Sequence, residues 1–120
     1  MKEIRNRGEV NVVLDISIEK IIPFLQAAAN VNMLGDYNNY FITNLDTHTL
    51  NLNQIPNLKS NVTCLRLINP DSIELENAIR TWRQKEKIDL IKKQVPIEAG
   101  LVHDAVQILN NGLKLFDGGK

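Results

Sequence analysis

Hydrophobic positions along this chain change period several times. Val10, Val12, Val13, Leu14 and Ile16 form a short β-branched run, the pattern of a strand buried on both faces. Directly after it, Ile18, Ile21, Ile22, Leu25, Ala28 and Ala29 recur at helical spacing and predict an amphipathic helix. Ser17 is placed to cap that helix by accepting an unpaired first-turn N–H, and Glu19 lies near the positive end of its dipole. Pro23 removes one helical hydrogen bond, so it is expected to kink the first turns or to move the start toward residue 22. Gly35 and Asp36 then lead to a second strand-like run, Tyr40 to Leu45. A strand, a crossover helix and a parallel strand make a βαβ unit with a right-handed crossover.

The rest of the chain repeats this alternation. Asn51 to Ser60 is polar, contains Pro56 and reads as a loop. Val62 to Ile68 is a third strand, ended by Pro70; Asp71 is the expected cap of the next helix, with Glu74 completing a capping-box pattern. That helix turns Leu75, Ala78, Ile79 and Trp82 inward and Glu74, Glu76, Arg80 and Arg83 outward. Residues 85–98 are mixed and include Pro96, which predicts an irregular return. Leu101, Val102, Ala105, Ile108, Leu109, Gly112, Leu113 and Phe116 form the most regular apolar stripe in the sequence, followed by a tail at 117–120. Lys2 to Arg7 reads as the end of a helix running into Gly8, so a preceding strand and helix start are expected upstream. Strand and helix periods in alternation predict an α/β fold, mainly a parallel sheet flanked by helices.

Composition narrows the function classes. The 120 residues are 43% hydrophobic and 23% charged, which suits one packed domain or part of one and argues against disorder. Fourteen basic residues balance fourteen acidic ones, so the electrostatic footprint of a nucleic-acid binder is missing. No apolar run approaches the ~20 residues that span a bilayer, and no leader pattern opens the chain; it reads as soluble. Cys64 is the single cysteine, excluding an intrachain disulfide, and its place in a strand pattern predicts a small buried hydrophobe.

Candidate chemistry is sparse. His48 and His103 have no HExxH, CxxC or clustered partner, so no metal or cofactor is expected. Adjacent residues on a helix point about 100° apart, so His103 and Asp104 are not expected to form a dyad. Ser17, Ser60 and Ser72 lack a nucleophile elbow, and the scattered Gly8, Gly35, Gly100 and Gly112 make no phosphate loop. No enzymatic mechanism is expected. Asn61-Val62-Thr63 is an acceptor sequon for N-linked glycosylation, set where a polar loop meets a strand. Open α/β sheets bind ligands beyond the carboxyl ends of their strands. Those ends here are Asp15-Ile16-Ser17, Leu45-Asp46-Thr47 and Asn69-Pro70-Asp71. Asp15, Ser17 and Asp46 are the cleft-facing candidates, the two carboxylates as acceptors for an amino group. The same residues also serve as ordinary turn and cap formers.

One stretch carries a family resemblance. Asp36 to Leu67, DYNNYFITNLDTHTLNLNQIPNLKSNVTCLRL, is similar to the lower lobe of the amino-terminal domain of ionotropic glutamate receptors, kainate-type subunits and their insect relatives above all. The match rests on Tyr37-Asn38-Asn39-Tyr40, Phe41-Ile42-Thr43, Leu45-Asp46, Asn61-Val62-Thr63 and Leu65-Arg66-Leu67, and it extends from Lys2-Glu3-Ile4 through Asp104-Ala105-Val106. It implies that residues 1–116 are an incomplete lower lobe of a periplasmic-binding-protein-like type I clamshell. It further implies a fragment of an extracellular, synaptic ligand-gated channel subunit that acts in assembly and recognition. Glutamate would be held by a separate domain, and contact with the membrane made only by other parts of the parent subunit. Partners implied are other subunits of a tetramer, met through the segments Ile18–Leu34 and Tyr40–Leu45. An apolar patch including Phe24, Val31, Met33 or Leu34 would serve that contact; packing of the same residues within the fold is the open alternative. Two other readings stand beside this one: an amino-acid-binding lobe of the same architecture, and an α/β enzyme with titratable groups clustered at a strand end.

Overall fold

Each β-branched run yields a strand of four residues in the computed structural model, which describes residues 1–87 and 91–118. The order is α1 (Lys2–Asn6), β1 (Asn11–Leu14), α2 (Ile18–Asn30), β2 (Asn39–Ile42), β3 (Asn61–Cys64), α3 (Ile73–Glu86) and α4 (Ile97–Asp117), with short 3-10 turns between them. The strands are parallel, in the order β1-β2-β3. Their register aligns Asn11, Asn39 and Asn61 at one end and Leu14, Ile42 and Cys64 at the other. The fold is therefore α/β, a parallel sheet flanked by helices. Its contacts group into two compact units, Met1–Arg66 and Leu67–Lys120. Of the expected irregular return and tail, residues 88–90 and 119–120 lie outside the described residues; Asp117 belongs to α4.

In unit 1 the sheet has one buried face. Leu14, Tyr40 and Ile42 pack with Ile21, Leu25 and Ala28 of α2, and Met33, Leu34 and Ile55 extend the same cluster. Burial of these side chains supplies roughly 1.5–3 kcal/mol each, the main force holding helix to sheet. The opposite face departs from the expectation of a doubly buried strand, since Val13 is 71% and Phe41 37% exposed. Strand alternation sends neighbouring side chains to opposite faces, and α2 can cover only one of them. Pro23 lies inside α2 and the helix still starts at Ile18, so the expected shift of the start does not occur. Pro23 has no N–H to give the carbonyl of Glu19, an exposed residue. At Gly8 a φ of 72° lets the chain leave α1 by a path that side chains disfavour.

Unit 2 is built on Leu75, Ile79 and Val95, with Ile68, Trp82 and Ala99 packed against them. Ser72, rather than the expected Asp71, caps α3: its Oγ accepts from the Leu75 N–H at 3.2 Å. Asp71 instead donates its N–H to Asn69 Oδ1 at 3.0 Å, an Asx-type turn. Gly100 allows the start of α4 to approach Ile68, because a Cβ there would lie 3.1 Å from Ile68 Cδ1. Beyond that point the stripe of α4 is uncovered, with Val102, Leu109 and Phe116 at 64%, 64% and 84% exposure.

Candidate functional site

The carboxyl ends of β1 and β2 are tied to each other. After Leu14 the chain turns out at Asp15, and Thr43, one residue past β2, donates its N–H to the Leu14 carbonyl at 3.1 Å and its hydroxyl to Asp15 Oδ1 at 2.7 Å. Asn44 then bridges in two directions: Nδ2 donates to the Ile16 carbonyl at 3.4 Å, and Oδ1 accepts from the Asp46 N–H at 3.0 Å. Thr47, buried at 2% exposure, donates its hydroxyl to the Asn44 carbonyl at 2.7 Å. Thr49 does the same to the Asp46 carbonyl, also at 2.7 Å. His48 Nδ1 lies 3.0 Å from the Leu45 carbonyl, a local contact within the same turn.

Asp15 and Asp46 are thus part of this local network, and Ser17 stands outside it. Asp15 is exposed and keeps oxygen lone pairs free to accept from an amine beyond its bond with Thr43. Ser17 is the N-cap of α2, but its side chain makes no cap bond to the backbone. It hydrogen-bonds the Glu19 carboxylate instead, which is the main reason that the Glu19 pKa lies below its ordinary value, with a backbone hydrogen bond also lowering it. Asp46 starts the 47–49 turn. Thr43 and Asn44 were not among the sequence candidates, although a Thr-Asn pair directly after an apolar run is a recognisable turn signal. Of the third strand end, Asn69 and Asp71 lie in unit 2 and form their own turn.

The amino end of the sheet carries a second feature. Asn39 Nδ2 donates to Asn11 Oδ1 at 2.9 Å, and Asn61 Nδ2 donates to Asn39 Oδ1 at 3.1 Å. Three carboxamides, one from the first position of each strand, therefore form a hydrogen-bonded ladder across the sheet. Backbone bonds run beside it, from Asn39 N–H to the Val10 carbonyl at 2.7 Å and from Asn61 N–H to the Asn38 carbonyl at 3.2 Å. Asn61 and Thr63, the outer members of the sequon, are both exposed. The ladder escaped sequence reasoning because it depends on register, yet each strand does open on an asparagine.

Among the interface candidates, Phe24 and Val31 are half-buried. Met33 and Leu34, at 2% and 4% exposure, lie in the core, and the Tyr40 hydroxyl donates to the Met33 carbonyl at 2.7 Å. Met33 and Leu34 are thus packed within the fold, and Phe24 and Val31 pack in part against the same cluster. Among the described residues no three His, Cys, Asp or Glu side chains are grouped to hold a metal ion. In unit 2, His103 Nδ1 stands 3.5 Å from Asp104 Oδ1, so these neighbours do approach, contrary to the helical-angle argument. The separation exceeds that of a charge-assisted hydrogen bond. Unit 2 also has an open groove of about 400 Å³ whose lining includes Ile68, Leu75, Trp82, Val95, Leu101 and His103. None of the described helices is long and apolar enough to cross a membrane.

No family model matches the chain. Among curated proteins it is 27% identical over 116 residues to the kainate-type ionotropic glutamate receptor glr-3 of Caenorhabditis elegans, covering 95% of this chain and 14% of that protein. It is 28% identical over 116 residues to ionotropic glutamate receptor kainate 1 of Homo sapiens, covering 91% of this chain and 13% of the relative. The Mus musculus kainate 1 protein matches at the same 28%, over 91% of this chain and 14% of its own length. The chain spans about one-seventh of the length of these relatives. Through nearly all of its residues the chain is thus similar to the kainate-type ionotropic glutamate receptors, and to one segment of such a subunit.

Proposed function

We propose that this chain is part of the lower lobe of the extracellular amino-terminal domain of a ligand-gated channel subunit, and that it acts in subunit assembly and recognition, not in catalysis. The observation that carries the reading is the match over 116 residues to kainate-type receptors, taken with the three-stranded parallel sheet expected of such a lobe. Its partners are other receptor subunits, met through the half-buried Phe24 and Val31 on and just after α2. Its place is the extracellular side of the plasma membrane, and Asn61 carries an N-linked glycan there. An amino-acid-binding role has less support, because Asp15 and Asp46 belong to the turns that follow β1 and β2, and Ser17 stands at the start of α2.

The test is assembly of the full subunit that contains this segment. Two differently tagged copies are co-expressed, and one is recovered through the other, with Phe24→Arg and Val31→Arg introduced singly and together. The double variant is expected to reduce co-recovery about tenfold, the loss typical of one buried anchor, while the secreted domain keeps its circular dichroism. Unchanged co-recovery with a folded domain removes the assembly role from this surface.

A further inference from the structure

The asparagine ladder bears on how a glycan at Asn61 would be held. This inference rests on the reading of Asn61 as glycosylated. Transfer from a polyprenyl-diphosphate-linked oligosaccharide forms an Nδ2–C1 bond as the C1–O bond to the diphosphate breaks. The diphosphate leaves with the electron pair, and one of the two Nδ2 protons is lost to base. A primary carboxamide carries two N–H donors, so one remains on the modified nitrogen.

Which hydrogen remains decides whether the ladder survives. Asn39 both accepts from Asn61 on Oδ1 and donates from Nδ2 to Asn11, so its amide lies in line across the strands, its donated hydrogen pointing away from its own carbonyl. Asn61 occupies the next position of the same register and donates in the same direction. A trans N-substituted amide keeps that hydrogen, anti to the carbonyl, and places the substituent on the carbonyl side. With its amide oriented as that of Asn39 is, Asn61 would have its carbonyl side away from Asn39, beyond β3. Among the described residues β3 is an outer strand of the order β1-β2-β3, so a sugar there would stand on the side of β3 away from β2.

We propose that Asn39 is a positioning residue for the modification. Its side-chain oxygen retains the Asn61 Nδ2–H after glycosylation and directs the first sugar outward over the β3 edge. The chain is secreted from a eukaryotic host and its intact mass determines occupancy. On the occupied protein, NMR records exchange of the Asn61 Nδ2–H with solvent. It is expected to be roughly threefold to tenfold slower than in an equally occupied Asn39→Ala variant, as one partly exposed hydrogen bond allows. Asn39→Asp, which keeps an acceptor, should retain the slow exchange. A second measurement needs no variant: an NOE between the Asn61 Nδ2–H and the Asn39 β-protons. An unmodified mass overturns the glycosylation reading, and this inference falls with it. A modified mass with equal exchange rates, or without the NOE, overturns the positioning role and leaves the modification standing.

Discussion

In unit 1, the apolar face of α2 disappears into the fold: Ile21, Leu25 and Ala28 are each at 0% exposure. The stripe of α4 in unit 2 is as regular in sequence, yet α4 contains no buried residue. The two helices differ in what lies opposite. Facing α2 are Leu14, Tyr40 and Ile42 from adjacent parallel strands, a continuous apolar surface; within unit 2 the first turn of α4 meets Ile68 and the α3 cluster and the rest meets no comparable layer. Periodicity specifies that a helix forms and which face is apolar. Whether that face contributes to stability is decided by the layer it meets.

The largest test of this contrast is truncation on both sides of it. Ile42→Ala removes a fully buried side chain from the central strand of the sheet and is expected to cost about 2–5 kcal/mol, transfer and cavity together. Leu109→Ala, at 64% exposure, is expected to fall within about 0.5 kcal/mol of neutral. Hydrogen exchange of the β2 amides reads the first, and fluorescence of Trp82, the chain's one tryptophan, follows unit 2 for the second. A cost at Leu109 equal to that at Ile42 would mean that the stripe is buried after all, and the contrast would be lost.

A smaller effect sharpens the picture of the unit 1 core. The Tyr40 hydroxyl bonds the Met33 carbonyl inside that core, and Tyr40→Phe leaves the carbonyl without this donor, an expected loss of about 1–3 kcal/mol. Burial also raises the Tyr40 pKa above its ordinary value of 10.0. The folded state then holds the proton more tightly than the unfolded state. Its contribution is complete below pH 10 and declines as pH rises through the raised value. Alkaline titration of stability should show this decline in the native chain and lack it in Tyr40→Phe. A decline of the same size in the variant would assign it to another group.

What could be read from the sequence follows the same division between local pattern and distant neighbours. The three strands, the crossover helix and the parallel pairing are local signals joined by a general handedness rule. The second face of β1 was misjudged because an uninterrupted run such as Val12-Val13-Leu14 states hydrophobicity and not what covers it. The ladder of Asn11, Asn39 and Asn61 joins positions 28 and 22 residues apart, so it exists only once register is fixed. Met33 and Leu34 follow α2 in a short apolar stretch that could equally lie at a surface; the turn back toward β2, with Asn32 at a φ of 56°, folds them inward. At the strand ends, Asp15 and Asp46 were visible as acids, but Thr43 and Asn44, which fasten them, are neutral and attract no attention as candidate chemistry.

The smallest test compares the two helix starts, which look alike in sequence. Ser17 and Ser72 both stand at N-cap positions with extended backbone, at ψ 151° and 140°. Only Ser72 uses its hydroxyl as a cap, accepting from Leu75 N–H; Ser17 is engaged with the Glu19 carboxylate, an exposed side chain. Ser72→Ala should therefore destabilise unit 2 by about 1 kcal/mol, since a first-turn N–H loses its acceptor. Ser17→Ala should cost less than Ser72→Ala, because it removes no cap bond and only a surface contact. It should also let the Glu19 pKa rise back toward its ordinary value, which carboxylate NMR titration would detect. The reverse ranking, with Ser17 the costlier site, would mean that its hydroxyl turns to the backbone in solution and that α2 depends on its cap as α3 does.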